Sequence, residues 1–146
     1  MLYYLDTVVV IYAVEGQPAD QLRTLNHLAQ LELAGHRFVI SGLTQTECLV
    51  PVVGPGSEQR LSDFFRFFHG PNLRTINLTA SMYTRAAAIR GGAVGPVMPP
   101  GQQRRYGMAD ALHLAAAIES GCDVFLTNDD QLMNFPDIHV EELRGL

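Results

Sequence analysis

The chain has 146 residues, a mass of 16.1 kDa and a formal net charge of −5, which predicts a single domain over residues 1–146 with a real hydrophobic core. Hydrophobic residues make up 47% of the sequence and charged residues only 17%, so the composition excludes a disordered chain. All 10 basic residues are arginines, and the lack of lysine excludes Schiff-base chemistry and a Walker-type phosphate loop.

The first half of the chain alternates short apolar runs with amphipathic segments. Gly16, Pro18, Gly35 and the Gly54-Pro55-Gly56 breaker mark the ends of these segments. The pattern predicts a strand over 2–5 that ends at Asp6, a short helix to about residue 15, a helix over 19–34, a strand over 37–41 and a helix over 43–53.

The second half continues the alternation. Ser57 and Thr79 stand at helix starts as capping residues. Residues 93–106 have no periodicity and many Gly and Pro, which is typical of a long loop. The predicted elements are helices over 57–69, 79–90, 109–120 and 129–135, strands over 72–77 and 123–127, and an edge strand over 138–140.

Strands that are apolar throughout and alternate with helices indicate an α/β fold. We expect a central parallel sheet of four to five strands that is covered by helices on both faces. Ligands of such sheets bind at the carboxyl ends of the strands. Residues at those ends are therefore the first candidates for a functional site.

Four carboxylates lie at the edges of apolar segments: Asp6, Glu47, Asp110 and Asp129. Asp6 and Asp129 fall at or just past strand ends, and we expect Glu47 and Asp110 in the first turns of helices. Buried acids need neutralisation, and a divalent cation such as Mg²⁺ is the simplest candidate. Bound cations would also offset much of the negative charge that disfavours nucleic-acid binding.

Each acid also has a simpler interpretation. Asp6 fits an ordinary acid at a strand end, Asp129 fits the N-cap of a following helix, and Asp110 fits an acid that the helix dipole stabilises. The four acids together favour the metal site over these separate interpretations. His113 lies one turn after Asp110, and we assign it a packing role.

Cys48 and Cys122 lack metal-ligand spacing, so buried, reduced thiols are expected. The chain opens on a strand-like run without a basic start, and its apolar stretches are too short for a membrane span. These features favour a cytoplasmic protein with no membrane segment.

The motifs YLDT, S-x-L-T-x-x-E at 41–47, ADALHLAAA and LTND at 126–129 together resemble the PIN domain family. The likeness is greatest to VapC-type toxins of toxin–antitoxin pairs. It covers essentially the whole chain, and the motifs occur in the expected order. Any one of them alone would be a weak signal.

The resemblance implies a Rossmann-like, three-layer PIN fold and a metal-dependent endoribonuclease that hydrolyses RNA phosphodiesters. It implies Mg²⁺ or Mn²⁺ held by Asp6, Asp110 and Asp129, with Glu47 as an alternate ligand or an orienting group. Thr127 would support the site. The resemblance also implies a homodimer and a cognate small antitoxin.

Val8 departs from the family pattern, in which Asn or Ser commonly follows the first acid by two positions. Loss of that polar side chain weakens the expected metal geometry. The alternative to the nuclease is therefore a catalytically weakened PIN scaffold that binds RNA or protein. A phosphotransfer enzyme with Asp6 as nucleophile is disfavoured, because Val8 stands where its second acid would be.

Arg104, Arg105 and Tyr106 form the only basic–aromatic cluster of the sequence. Such a cluster can contact RNA phosphate and stack on a base. A solvated loop or an antitoxin contact are the alternatives for these residues.

Overall fold

Short apolar runs form strands in this molecule, and the amphipathic segments between them form helices. The computed structural model describes residues 1–93 and 106–143. The strands are Leu2–Leu5 (β1), Arg37–Ser41 (β2), Leu73–Ile76 (β3), Val124–Thr127 (β4) and His139–Glu142 (β5). The helices are Thr7–Glu15 (α1), Pro18–Leu33 (α2), Gly42–Leu49 (α3), Glu58–Phe68 (α4), Ala80–Arg90 (α5) and Met108–Glu119 (α6).

The five strands form one parallel sheet in the order β3-β2-β1-β4-β5. The chain builds the sheet outward from β1 through β2 to β3, and then crosses to β4 and β5 on the other side. The strand order therefore reverses between β1 and β4. Crevices that bind ligands open at the carboxyl ends of strands at such a reversal, which here means the residues after Leu5 and Thr127.

Helices cover both faces of the sheet, so the predicted three-layer α/β fold is confirmed. Tyr4, Val39 and Phe125 face α5 and α6 in one buried cluster. Tyr3 and Leu5 belong to a second buried cluster, which includes side chains of α1, α2, α3 and α4. Burial of the strands on both faces explains why they read as continuous apolar runs.

Helix α6 approaches its neighbours closely because its buried face consists largely of alanine. Ala111, Ala115, Ala116 and Ala117 are fully buried among residues of α5 and the sheet. A helix packed this tightly has little freedom to shift. Its first turns, which carry Asp110 and His113, are thereby held in place beside β1 and β4.

Three local predictions need correction. The helix expected over 43–53 ends at Leu49 and continues as a 3₁₀ turn, Val50–Val52, because Pro51 has no N–H for an α-helical bond. The helix expected over 129–135 is only a 3₁₀ turn, Asp130–Leu132. Thr79 caps its helix as predicted, whereas the Ser57 side chain makes no capping bond.

Both cysteines are free, with Cys48 buried and Cys122 partly buried. Burial raises the pKa of both thiols, that of Cys48 to about 12. An apolar, protonated thiol is a poor nucleophile. Within residues 1–93 and 106–143, no helix is long and apolar enough to cross a membrane.

Candidate functional site

Asp6 lies at the carboxyl end of β1 and starts α1. Its backbone N–H donates to the Leu126 carbonyl at 3.0 Å, which fixes it beside β4. The side chain is 8% exposed and accepts hydrogen bonds from the Thr7 N–H at 2.9 Å and from Thr127 Oγ1 at 2.7 Å. The carboxylate is therefore held in one orientation where the strand order reverses.

Thr127 connects Asp6 to Asp129. Its hydroxyl donates to Asp6 and accepts from the Asp129 backbone N–H at 3.1 Å. Asp129 Oδ1 accepts from the Gln131 N–H at 2.9 Å. Asp129 thus caps the turn that follows, as its simpler interpretation expected, and it also stands in the same cleft as Asp6.

Glu47 lies in the second turn of α3 rather than in its first. Its Oε1 atom accepts from Thr7 Oγ1 at 2.7 Å and lies 2.5 Å from His113 Nε2. The hydrogen bond from His113 holds the pKa of Glu47 below its usual value, and the bond from Thr7 acts in the same direction against the effect of burial. Glu47 is therefore an ionised carboxylate at neutral pH.

Asp110 lies in the first turn of α6, as predicted. Burial, and to a smaller extent the charges of Asp6, Asp129 and Glu47, together raise the pKa of its carboxyl to about 6, against an opposing effect of His113. Asp6, Glu47 and Asp129 therefore lie close enough to Asp110 for their charges to disfavour its ionisation. Such repulsion is typical of a site that binds a positive charge.

An open cleft of about 510 Å³ exposes part of this cluster. Besides Asp6, Glu47 and Asp129 it is lined by Val8 and Asn128. Asn128 Oδ1 is buried and has no hydrogen-bond partner among residues 1–93 and 106–143. A second, mainly apolar cleft of about 450 Å³ between α2 and α4 contains none of the four acids.

The donor set fits a hard divalent cation, because it consists of carboxylate and amide oxygens and carries unbalanced negative charge. In the part of the chain that the structure describes, no three His, Cys, Asp or Glu side chains are grouped so that they could hold an ion as they stand. The carboxylates fit such an ion in their chemistry, and Asp6, Glu47 and Asp129 share one cleft.

Comparison with protein families matches the chain to the PIN domain over residues 3–138. The chain belongs to the PIN domain family. A comparison with curated proteins gave no match. The resemblance inferred from the four motifs is thus confirmed at the level of the family.

This PIN domain is also similar to solved structures. They include VapBC2 from Rickettsia felis bound to promoter DNA (TM-score 0.76, 22% identity, covering 97% of this chain and 98% of that one). A toxin–antitoxin complex from Klebsiella pneumoniae has a TM-score of 0.64 and a sequence identity of 17%, and the match covers 97% of each chain. VapC20 from Mycobacterium tuberculosis is described as a sarcin–ricin loop cleaving toxin. Its TM-score is 0.60 and its sequence identity 12%, and the match covers 84% of this chain and 86% of that one. At these identities the likeness supports the fold.

Tyr106 is the one member of the predicted basic–aromatic cluster that lies among the described residues of this PIN domain, and it does not line the cleft. Tyr106 is 3% exposed and packs edge-on against Phe135, with ring centroids 5.4 Å apart, so its ring is not available to stack on a base. Burial in the core overturns that prediction. Arg104 and Arg105 lie outside the described residues.

Two groups that the sequence did not assign to the site lie beside it. Thr7 donates to Glu47, and His113, which was assigned to packing, contacts the same carboxylate oxygen. The spacing of His113 from Asp110 indicates that both side chains lie on the same side of α6, since residues three apart share one face of a helix. The contact with Glu47 was not visible, because it joins residues far apart in sequence.

Proposed function

We propose that this PIN domain is a metal-dependent endoribonuclease and the toxin of a type II toxin–antitoxin pair. The observation that carries the proposal is the meeting of Asp6, Glu47, Asp110 and Asp129 at one reversal of the sheet, with the pKa of Asp110 raised to about 6 by burial and its acidic neighbours. The fold would hold so much negative charge at a small site only for a cationic ligand.

In this proposal Asp6, Asp110 and Asp129 hold Mg²⁺ or Mn²⁺, and Thr127 keeps Asp6 and Asp129 in place. A bound ion would supply a water of lowered pKa and neutralise charge on the phosphate. Glu47 would orient that water through Oε2, which has no hydrogen-bond partner among the described residues. Its lowered pKa makes it a weak base, so orientation suits it better than proton abstraction.

The proposed setting is a cytoplasmic homodimer, built from a single domain over residues 1–146, that is neutralised by a small cognate antitoxin. Support for the antitoxin partner comes from the Rickettsia felis and Klebsiella pneumoniae structures, which are a VapBC assembly and a toxin–antitoxin complex. The similarity to VapC20, a sarcin–ricin loop cleaving toxin, supports RNA as the substrate class.

The test is cleavage of a structured RNA with Mg²⁺, with Mn²⁺ and with EDTA. We expect metal-dependent cleavage that falls at least about tenfold in Asp6→Asn, because one ligand oxygen is lost. Asp137→Asn is the matched control, since Asp137 is an exposed acid outside the cleft. Equal activity of wild type and Asp6→Asn would point to a contaminating nuclease and refute the proposal.

Val8 favours the second candidate function, a weakened scaffold that binds RNA or protein. It lines the cleft two positions after Asp6 and packs against the apolar cluster on the α1 side of the sheet. An apolar side chain here offers nothing to a ligand or its water shell. The two functions differ in whether the cleft still binds a divalent ion tightly.

Val8→Asn is expected to raise Mn²⁺ affinity by up to about tenfold, because it restores a polar group beside the acids. Calorimetric titration measures this affinity. Val8→Ala is the control, because it removes the apolar methyl groups of valine without adding a hydrogen-bonding group. Equal affinities of Val8→Asn and Val8→Ala would show that a polar side chain at this position is not needed.

A further inference from the structure

We propose that His113, supported by Tyr4, is a positioning residue that fixes Glu47 toward the cleft. The inference rests on the proposed function, because it gives Glu47 a task in ion and water binding. His113, which is not one of the proposed metal ligands, would orient Glu47 from the buried side of the cleft.

His113 is 1% exposed, and both nitrogens of its ring have partners. Nε2 lies 2.5 Å from Glu47 Oε1, and Nδ1 lies 2.7 Å from the Tyr4 hydroxyl. Because an ionised carboxylate only accepts hydrogen bonds, Nε2 carries the hydrogen in the contact with Glu47. The ring therefore links the Tyr4 hydroxyl in the core to Glu47.

Tyr4 anchors the other end of this link. It is fully buried in β1, its hydroxyl donates to Ser41 Oγ at 2.9 Å, and its ring stacks on Phe125 with centroids 5.4 Å apart. Ser41 ends β2 and caps α3, the helix that carries Glu47. The chain of contacts thus joins β1, β2, α3 and α6 behind the cleft.

The two oxygens of Glu47 differ in their surroundings. Oε1 accepts from both Thr7 and His113, whereas Oε2 has no hydrogen-bond partner among the residues that the structure describes. Oε1 is thus fixed by residues on the buried side of the site. The Glu47 side chain is still one-third exposed and lines the cleft. This asymmetry is expected of a carboxylate that is fixed in order to present its second oxygen to a ligand.

A packing role alone does not explain this arrangement. Burying an imidazole without satisfying both nitrogens is costly, and an apolar side chain of similar size would fill the space without that cost. Ordering a glutamate side chain costs conformational entropy. A carboxylate that is already ordered when the ligand arrives does not incur that cost during binding.

Two substitutions of His113 separate these roles. In His113→Gln the amide nitrogen reaches the place of Nε2 and can still donate to Glu47. In His113→Asn the amide reaches only the place of Nδ1, so the contact with Tyr4 survives and the contact with Glu47 is lost. We expect Mn²⁺ affinity, measured by calorimetry, to fall about 10- to 100-fold in the Asn variant and to recover in the Gln variant.

A double-mutant cycle shows whether the effect acts through Glu47. In a Glu47→Gln background, adding His113→Asn should change Mn²⁺ affinity less than about threefold, because the group to be positioned has already changed. Thermal unfolding without metal reports the loss of packing in each variant. Equal affinity losses in the Asn and Gln variants, or full additivity in the cycle, would overturn the positioning role.

The wild-type titration keeps the two proposals distinguishable. If wild type binds Mn²⁺ and His113→Asn binds it equally well, only the positioning role fails and the nuclease proposal stands. If wild type does not bind Mn²⁺, the nuclease proposal fails and the positioning role is overturned with it.

Discussion

Replacing Asp110 with asparagine is expected to abolish RNA cleavage and, at the same time, to stabilise the metal-free protein. The pKa of Asp110 is raised to about 6, so the folded state binds its proton more tightly than the unfolded chain does. The free energy of unfolding therefore falls as the pH rises from about 4 to about 6 and stays lower above that range. A neutral amide avoids that loss. Allowing for solvent screening, we expect a gain of about 1 kcal/mol at pH 7.5 and a melting temperature higher by about 2–4 °C.

Cleavage by Asp110→Asn should fall by about 100-fold or more, since a lost ligand also perturbs the remaining ones. Thermal unfolding with EDTA measures the stability of the metal-free proteins, and thermal unfolding with MgCl₂ measures how much the ion stabilises each of them. Mg²⁺ should raise the melting temperature of wild type and have a much smaller effect on the variant. A destabilised variant in EDTA would contradict the repulsion on which the metal site rests.

Asp63→Asn is a control of opposite sign. Asp63 lies on α4, away from the acids, and pairs with Arg66 at 3.8 Å and with Gln59 at 2.9 Å. Its neutralisation removes weak favourable contacts and should cost less than about 1 kcal/mol. Opposite signs for the two substitutions would separate a strained functional acid from an ordinary surface acid.

The strands were predictable to within one or two residues because burial on both faces leaves a continuous apolar run with clear ends. Arg37–Ser41 has the predicted bounds, and Val124–Thr127 begins one residue later than expected. Helix ends were less predictable. The turn at Val50–Val52 depends on one missing N–H at Pro51, and the apolar residues after Asp129 pack into the core without forming a helix.

The placement of Asp6, Glu47 and Asp129 along one cleft was predictable, since strand ends and helix starts converge in a parallel sheet. Their supporting contacts were not. The Tyr4–His113 contact joins residues 109 positions apart, and no local periodicity specifies such a pair. The prediction that the Tyr106 ring stacks on a base was wrong for a related reason. The polar and basic residues before it in sequence do not reveal that its ring packs on Phe135.

The largest loss of stability is expected for Phe125→Ala. Phe125 is fully buried in the middle of β4 and stacks on Tyr4 with an angle of 10° between the rings. Removing the ring leaves a cavity in the sheet and should cost about 3–5 kcal/mol. Denaturant unfolding measures this loss. It is a large share of the roughly 5–15 kcal/mol that stabilises a typical domain.

Phe65→Ala is the matched control for Phe125→Ala. Phe65 is 45% exposed on α4, so the same truncation should cost clearly less than the loss at Phe125, about 1 kcal/mol. Equal losses would contradict the assignment of Phe125 to the core. Because Tyr4 lies between Phe125 and His113, Phe125→Ala should also weaken Mn²⁺ binding at temperatures where the variant is folded, whereas Phe65→Ala should not. That difference would tie the packing of the sheet to the geometry of the acid cluster.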